Sequence, residues 1–156
     1  MTRDQQHEKL NFLVGAWNTS HTVPAGDGET TIVLGKAVIE WVVGKSWLRH
    51  EFEAEFPGRG RVFMTTMMNY SPTKKMYNFY MFDHFGGEAG QFYGDWGDST
   101  EIVLTAMFEE EDGTTSYQKF TLTPVSTEEI SINRAFSDDG DNYHFELKGV
   151  YTRKKE

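Results

Sequence analysis

Apolar and polar residues alternate along most of the chain, and turn residues interrupt this alternation about every ten positions. A period of two is typical of strands with one buried face. Gly, Pro, Asp and Lys mark the short connections between the alternating segments. The pattern predicts ten strands, at 16–23, 30–43, 46–56, 61–70, 75–83, 89–96, 100–109, 114–123, 128–137 and 142–153.

One segment at the start, 4–13, has a helical period instead. Leu10, Leu13 and Val14 form a short apolar stripe, Asp4 is placed to cap the first turn, and Gly15 follows as a stop signal. The sequence therefore predicts a single short N-terminal helix.

Short connections make neighbouring strands antiparallel, so the predicted strands form an up-and-down meander. No helical pattern of useful length follows Val14 that could cover a flat sheet. A ten-stranded meander then buries its apolar face by closing on itself. We predict an all-β fold, an antiparallel up-and-down β-barrel of about ten strands, as a single domain over 1–156.

Such a barrel is wide enough for an internal cavity. The chain also carries 12 Phe, 7 Tyr and 4 Trp residues, 15% of its length, which could fill the interior instead. The sequence does not distinguish a hollow barrel from a filled one, and we predict a barrel with an internal cavity.

Charge and composition exclude several classes of function. A net charge of −9 repels phosphate backbones and argues against a nucleic-acid partner. No apolar run approaches the roughly 18 residues of a membrane span, and the polar start has no apolar signal core. We expect no membrane partner and a cytoplasmic location. The absence of cysteine excludes disulfides, zinc–thiolate sites and a cysteine nucleophile.

Two residues at opposite ends of the chain resemble a feature of the calycin superfamily, which includes lipocalins and fatty-acid-binding proteins. Gly15-Ala16-Trp17 opens the first strand after a short helix, and Arg153 ends the last strand. In calycins a tryptophan of this kind, at the closed end of the barrel, is covered by a late basic residue. The resemblance implies that Trp17 and Arg153 close the barrel, through a cation–π contact shielded from water.

Four further motifs resemble one uncharacterised bacterial family with a calycin-like barrel, domain-of-unknown-function family 1579. They are His7-x-x-Leu10-x-x-Leu13-x-Gly15-x-Trp17, the segment WVVGKSWL at 41–48, NYSPTKK at 69–75 and YTRK at 151–154. The third motif departs from that family at 69–72, where its members usually read Gly-Tyr-Asp-Pro and this chain reads Asn-Tyr-Ser-Pro. The resemblance implies a calycin-like fold, and it supplies no established activity and no catalytic residues.

Alternation assigns the inner face of several strands if Trp17 points inward. Three polar side chains then share the apolar lining: His21 on the first strand, His50 on the third and Arg134 on the ninth. The inward set that would form the wall of a cavity is Phe52, Met64, Phe79, Phe136, Tyr143 and Phe145.

Arg134 is the candidate anchor for the head group of a ligand. A guanidinium suits the two oxygens of a carboxylate or phosphate, and resemblance to fatty-acid-binding proteins, which place an interior arginine on a late strand, supports this role. Two alternatives stay open: Arg134 pairs with a protein carboxylate such as Glu40, or a bulge turns it towards water. The leading hypothesis is a barrel that holds a small apolar or amphiphilic molecule, with His21 and His50 as polar neighbours of Arg134.

Three other functions remain as alternatives. The first is an enzyme that uses His21 or His50 as a general base. The competing interpretation is that each is a core histidine with an internal hydrogen bond. The second is a structural homodimer with a filled barrel. The fifth strand is apolar on both faces, so one apolar face would lie outside and could make a dimer contact.

The third alternative is haem binding, known in a branch of ten-stranded calycin-like barrels. That branch opens with Gly-x-Trp-x-Gly-x-Gly, whereas Asn18-Thr19-Ser20 follow Trp17 here, and the late His144 is predicted to face outward. We therefore expect no cofactor. Asp83, His84, Glu88, Asp95 and Asp98 lie around two loops, but their spacing matches no metal motif, and we predict no metal site.

Overall fold

The computed structural model describes residues 2–84, 87–98 and 100–155, except for the side chain of Phe145. Helix α1 spans Arg3–Glu8, and a short 3₁₀ turn follows at Asn11–Leu13. The strands are β1 (Gly15–Gly26), β2 (Glu29–Val42), β3 (Trp47–Phe56), β4 (Gly60–Ser71), β5 (Met76–Asp83), β6 (Gly90–Trp96), β7 (Ile102–Glu109), β8 (Thr115–Pro124), β9 (Glu129–Ser137) and β10 (Phe145–Arg153).

The strands form one closed antiparallel barrel. Each strand pairs with the next along the chain, and β1 also pairs with β10. This confirms the predicted all-β, up-and-down barrel of ten strands with one short N-terminal helix. Among the described residues, no helix has the length and apolar character needed to cross a membrane.

Helix α1 covers one end of the barrel, which we call the closed end. Its cap is Thr2, not Asp4 as predicted, because the Thr2 hydroxyl accepts from the Gln5 N–H while the Gln5 side chain accepts from the Thr2 N–H. The helix also stops at Glu8 rather than continuing to residue 13. It contacts the barrel through His7, whose Nε2 accepts from the Tyr70 N–H at 3.0 Å.

The first and last strands meet at this closed end through Trp17 and Arg153. The guanidinium of Arg153 lies 4.2 Å from the centre of the fully buried Trp17 indole. It also donates to the carbonyls of Val14 at 2.8 Å and Thr127 at 3.0 Å. The Trp17 indole N–H donates to the Leu13 carbonyl at 2.9 Å. The contact implied by the resemblance to calycins is therefore present, and it ties the 3₁₀ turn to the first and last strands.

Alternation assigned the inner faces of β1, β3 and β9 correctly. On β1, for example, Trp17, Thr19 and Val23 are buried, while Asn18 is exposed. The fifth strand has a buried inner face, and its outer face leaves Phe82 45% exposed. Apolar side chains therefore do lie on both faces of β5.

The last strand begins at Phe145, three residues later than predicted. The carboxylate of Asp139 accepts from the backbone N–H groups of Asp141 and Asn142 and from the Asn142 side chain. These bonds fold residues 139–142 into a turn, so the chain joins the ladder only at Phe145, and the alternation predicted from Tyr143 onward does not apply to Tyr143.

We predict that Gly15→Ala lowers the free energy of unfolding by about 2–3 kcal/mol. Gly15 has a φ of +147°, and a Cβ there would lie only 2.3 Å from Nη1 of Arg153, so the guanidinium would leave the Trp17 indole. The matched control is Gly28→Ala, where φ is also positive (+76°) but no atom lies within 4 Å. Denaturant unfolding measures both. An equal decrease in the free energy of unfolding in the two variants would show that the contact between Arg153 and Trp17 contributes nothing to stability.

Candidate functional site

The closed half of the barrel is filled by aromatic rings. Phe79, Phe92 and Phe120 pack with ring centres 5.0–5.6 Å apart. Beneath them remains a void of only about 20 Å³, whose wall includes His50 and Phe79. This half has no room for a ligand, as the filled-barrel alternative requires.

The other half, towards the hairpin that joins β1 and β2, is hollow. It contains a cavity of about 670 Å³, which falls in the range of volumes found for small-molecule sites. The cavity reaches solvent past the exposed residues Pro24, Ala25 and Pro57. The hollow and filled interiors left open by the sequence are thus both present, in different halves.

The wall of the cavity is largely apolar and comes from eight strands and the connection between β3 and β4. Its members are His21, Val23, Pro24, Ala25, Thr31, Phe52, Phe56, Pro57, Arg59, Val62, Met64, Asp83, Phe120, Ile132, Arg134, Phe136, Leu147 and Tyr151. The polar side chains of His21 and Arg134 both line this wall. They lie on β1 and β9, the two strands that flank β10.

Arg134 is held against the wall by an amide and two aromatic rings. Its Nε and Nη2 atoms donate to Oε1 of Gln118 at 3.0 and 2.6 Å. Its guanidinium carbon lies 5.0 Å from the ring centre of Phe136 and 5.5 Å from that of Phe120. Such contacts stabilise a cation and fix its orientation. Burial lowers the pKa of Arg134, and the field of Asp83 raises it, so the group is a positive charge at any ordinary pH.

No carboxylate of the described residues lies within 4.0 Å of the Arg134 guanidinium. The expected alternative partner, Glu40, instead pairs with Arg49 on the outside of the barrel at 2.5 Å. Arg134 does not face outward through a bulge either, because β9 pairs in regular register with both neighbours. The pairing with Glu40 and the outward bulge are therefore wrong. Asp83, a carboxylate of the same cavity wall, acts on Arg134 through its field from beyond 4.0 Å, and no described residue accepts a hydrogen bond from Nη1.

His21 lies in the cavity wall with neither ring nitrogen hydrogen-bonded to a described residue. Its ring packs edge-on against Phe52 and Tyr151, with centres 5.0 and 5.8 Å apart. It also occupies the space above Gly149, where a Cβ would lie 2.7 Å from His21 Nε2. Its Nδ1 atom is buried. Burial lowers the pKa of His21 to about 4, so the imidazole is neutral near pH 7.

His50 lies deeper and does not line the cavity. Its Nε2 atom is 3.0 Å from the hydroxyl of Tyr151, and both side chains are buried. Burial, with a smaller effect from His21, lowers the pKa of His50 to about 3. Burial also raises the pKa of Tyr151. His50 is therefore a core histidine paired with a phenol.

The predicted site residues divide into three groups. The structure brings Arg134, His21, Phe52, Met64 and Phe136 together around the cavity. His50 and Phe79 lie below it in the filled half, and the side chain of Phe145 lies outside what the structure describes. A residue that sequence analysis missed is Gln118, which alternation along β8 places on the same face as Phe120 and Leu122.

Tyr143, predicted to lie in the cavity wall, instead borders a separate groove on the outside. The groove has a volume of about 770 Å³ and runs along β6, β7 and β8, beside the turn made by Asp139. The Lys119 ammonium lies 4.2 Å from the Tyr143 ring centre. The prediction fails for Tyr143 because the turn removes it from the β10 ladder.

Neither a metal site nor a haem ligand stands out in the geometry. Within the described ranges, no three His, Cys, Asp or Glu side chains are grouped so that they could hold a metal ion. His84, from the loop set considered above, accepts from the Phe63 N–H at 3.0 Å. His144 is exposed, 3.9 Å from Asp138, and His21 is the histidine found in the cavity wall.

The closed ten-stranded barrel, its helical cover and its one-ended cavity define a calycin-like, lipocalin-type barrel. The chain belongs to the family described as "Protein of unknown function (DUF1579)", whose model matches residues 2–153. This confirms the resemblance seen in the four sequence motifs.

Two solved structures share the fold at low sequence identity. Rv2717c from M. tuberculosis has a TM-score of 0.64 and 15% identity, over 95% of this chain and 96% of that one. The S-type phycobiliprotein lyase CPES from Guillardia theta has a TM-score of 0.65 and 9% identity, over 100% of this chain and 99% of that one. No curated protein sequence matches the chain significantly. At these identities the similarity shows the fold alone.

His21 and His50, the two histidines with the most depressed pKa values, predict a loss of stability in mild acid. Their pKa values in the folded state, about 4 and 3, lie below the usual 6.5, so the unfolded chain takes up protons first as the pH falls. Stability is complete above pH 6.5 and declines towards pH 4, by up to about 1.4 kcal/mol per pH unit for each histidine. Urea unfolding between pH 5 and 7 measures this slope.

His50→Gln should remove about half of that pH dependence, since glutamine can still bond to Tyr151 but does not titrate. The control is His144→Gln, at an exposed position, which should leave the slope unchanged. An unchanged slope in His50→Gln would contradict the assignment of His50 as a neutral core histidine.

Proposed function

We propose that this protein binds a small amphiphilic molecule in the cavity, with the anionic head of the molecule at Arg134. The observation that carries the proposal is the position of Arg134: a guanidinium in a largely apolar cavity, oriented by Gln118, without a carboxylate within 4.0 Å among the described residues. The apolar wall, including Phe52 and Met64, would receive the remainder of the ligand.

The energetics of burial support this role. A charge removed from water without an ionic partner destabilises a fold by several kcal/mol. The amide of Gln118 and two aromatic rings offset part of that penalty, but they satisfy only one edge of the guanidinium. The field of Asp83 offsets a further part, and a carboxylate or phosphate at the remaining Nη1–Nη2 edge would pair with the charge directly through two hydrogen bonds. Affinity for an anion is thus the direct consequence of the arrangement.

An enzyme that uses His21 as a general base is a second candidate, because the His21 imidazole lines the cavity and is neutral. Two features favour binding over catalysis. A pKa of about 4 makes a weak base near pH 7. A catalytic histidine is also usually oriented by a third group, and no described residue hydrogen-bonds to His21.

The same proposal includes a cytoplasmic location and the absence of a nucleic-acid partner, the latter because a net charge of −9 repels phosphate backbones. Haem and a homodimer built on the apolar outer face of β5 remain alternatives. An absorbance spectrum after addition of haem and the mass of the protein in solution test them separately.

The test is a comparison of two probes of equal length, dodecanoate and dodecanol, by isothermal titration calorimetry. We expect dodecanoate to bind at least tenfold more tightly than dodecanol, because a charge-assisted hydrogen bond contributes about 1.5–3 kcal/mol. Arg134→Gln should abolish this preference while dodecanol binding stays the same.

The matched control is Arg49→Gln, which removes an arginine on the outside of the barrel and should bind both probes as the unaltered protein does. If neither probe binds, or if Arg134→Gln retains the preference for dodecanoate, Arg134 is not the anchor and the proposal is wrong.

A further inference from the structure

Buried polar atoms without a hydrogen bond are concentrated at one place in the described part of the chain. They are Oγ1 of Thr19 and Nδ1 of His21, two positions apart on the inner face of β1. Thr19 is 3% exposed. A buried polar group without a partner destabilises a fold by about 1–3 kcal/mol, and such groups are uncommon in native interiors. Thr19 does not line the cavity, so of these two residues only His21 presents a polar side chain without a hydrogen bond to a described residue at the cavity wall.

The His21 ring is positioned, rather than loosely placed, at this point. Gly149, its partner in the β1–β10 ladder, leaves the space in which the ring lies, and the rings of Phe52 and Tyr151 bound it on two sides. Because Nδ1 is sealed by the wall, the nitrogen that the cavity can reach is Nε2. A neutral imidazole fixed in this way can donate or accept one hydrogen bond there.

His21 and Arg134 lie at different depths in the cavity. His21 is in register with Gly149, and Gly149 with Ile132, so Arg134 lies two residues nearer the mouth and two strands away. Strand spacing and rise place their Cα atoms about 10–12 Å apart along the wall. A ligand whose head contacts Arg134 would therefore pass His21 with the middle of its apolar part, not with its head.

We propose that the ligand is a hydroxylated long-chain monocarboxylate, with its carboxylate at Arg134 and a mid-chain hydroxyl hydrogen-bonded to Nε2 of His21. This inference rests on the proposed function and adds the chemical class of the ligand. A hydroxyl suits the position because it can both donate and accept, and so matches either tautomer of the ring. A purely apolar chain would leave the imidazole unpaired in a cavity that the ligand has cleared of water, which disfavours that ligand.

The experiment measures the affinity of three probes: dodecanoate, dodecanoate with a hydroxyl in mid-chain, and dodecanoate with a hydroxyl on the carbon next to the carboxylate. We expect the mid-chain hydroxyl to tighten binding about tenfold over dodecanoate, as one well-placed buried hydrogen bond does. The hydroxyl beside the carboxylate should give no gain, because it lies near Arg134 and away from His21.

His21→Phe should remove the gain from the mid-chain hydroxyl without weakening the binding of plain dodecanoate, because the phenyl ring replaces the imidazole that an apolar chain leaves unpaired. His21→Gln keeps a hydrogen-bonding group and should retain part of the gain in affinity from the mid-chain hydroxyl. This second variant gives a result even if His21→Phe packs poorly. His144→Phe, at an exposed histidine, is the control and should change none of the three affinities.

The outcomes separate this inference from the proposed function. If dodecanoate binds through Arg134 but the mid-chain hydroxyl adds nothing, or if its gain survives in His21→Phe, the hydroxylated ligand is wrong and the anionic anchor stands. If dodecanoate does not bind, both fail. An equal gain in affinity from both hydroxyl positions would also overturn the inference, since it would show that affinity does not depend on where along the chain the hydroxyl lies.

Discussion

The Arg153 guanidinium packs on the indole of Trp17, and this contact joins the last strand of the chain to the first. A meander has two free edges until its first and last strands pair, and each free edge exposes unpaired backbone groups. Here the β1–β10 ladder removes both edges, and Arg153 adds hydrogen bonds to the carbonyls of Val14 and Thr127 outside that ladder. The indole is fully buried and Arg153 is half-buried, and partial removal from water strengthens a cation–π pair. Barrel, helical cover and cavity all depend on this closure.

Closure at one end explains why the cavity lies at the other. Near Trp17 the interior is occupied by the buried rings of Phe79, Phe92 and Phe120, which pack edge to face as in an ordinary core. Towards the mouth the inward side chains line the wall and leave a cavity of about 670 Å³. The polar groups that a solid core would exclude, His21 and Arg134, lie in this open half. The filled core and the open cavity thus occupy opposite halves of one barrel.

Alternation predicted the inward faces because a strand with a regular ladder has no other way to place its side chains. It placed His21 and Arg134 in the cavity correctly, and the same rule applied to β8 would have found Gln118. It failed for Tyr143, where the carboxylate of Asp139 folds the chain into a turn before β10 begins. It could not distinguish His50 from His21 either, since both point inward and differ only in depth.

The amino-acid sequence by itself determined the ten strands, their order and the residues that face the interior. These follow from local periodicity and short connections, which need no knowledge of distant contacts. Only the tertiary structure decided which inward residues meet across the barrel, because that depends on the register between strands and on ring packing. It paired His50 with Tyr151, gave Arg134 an amide partner in place of Glu40, and left His21 without a hydrogen bond beside an open cavity.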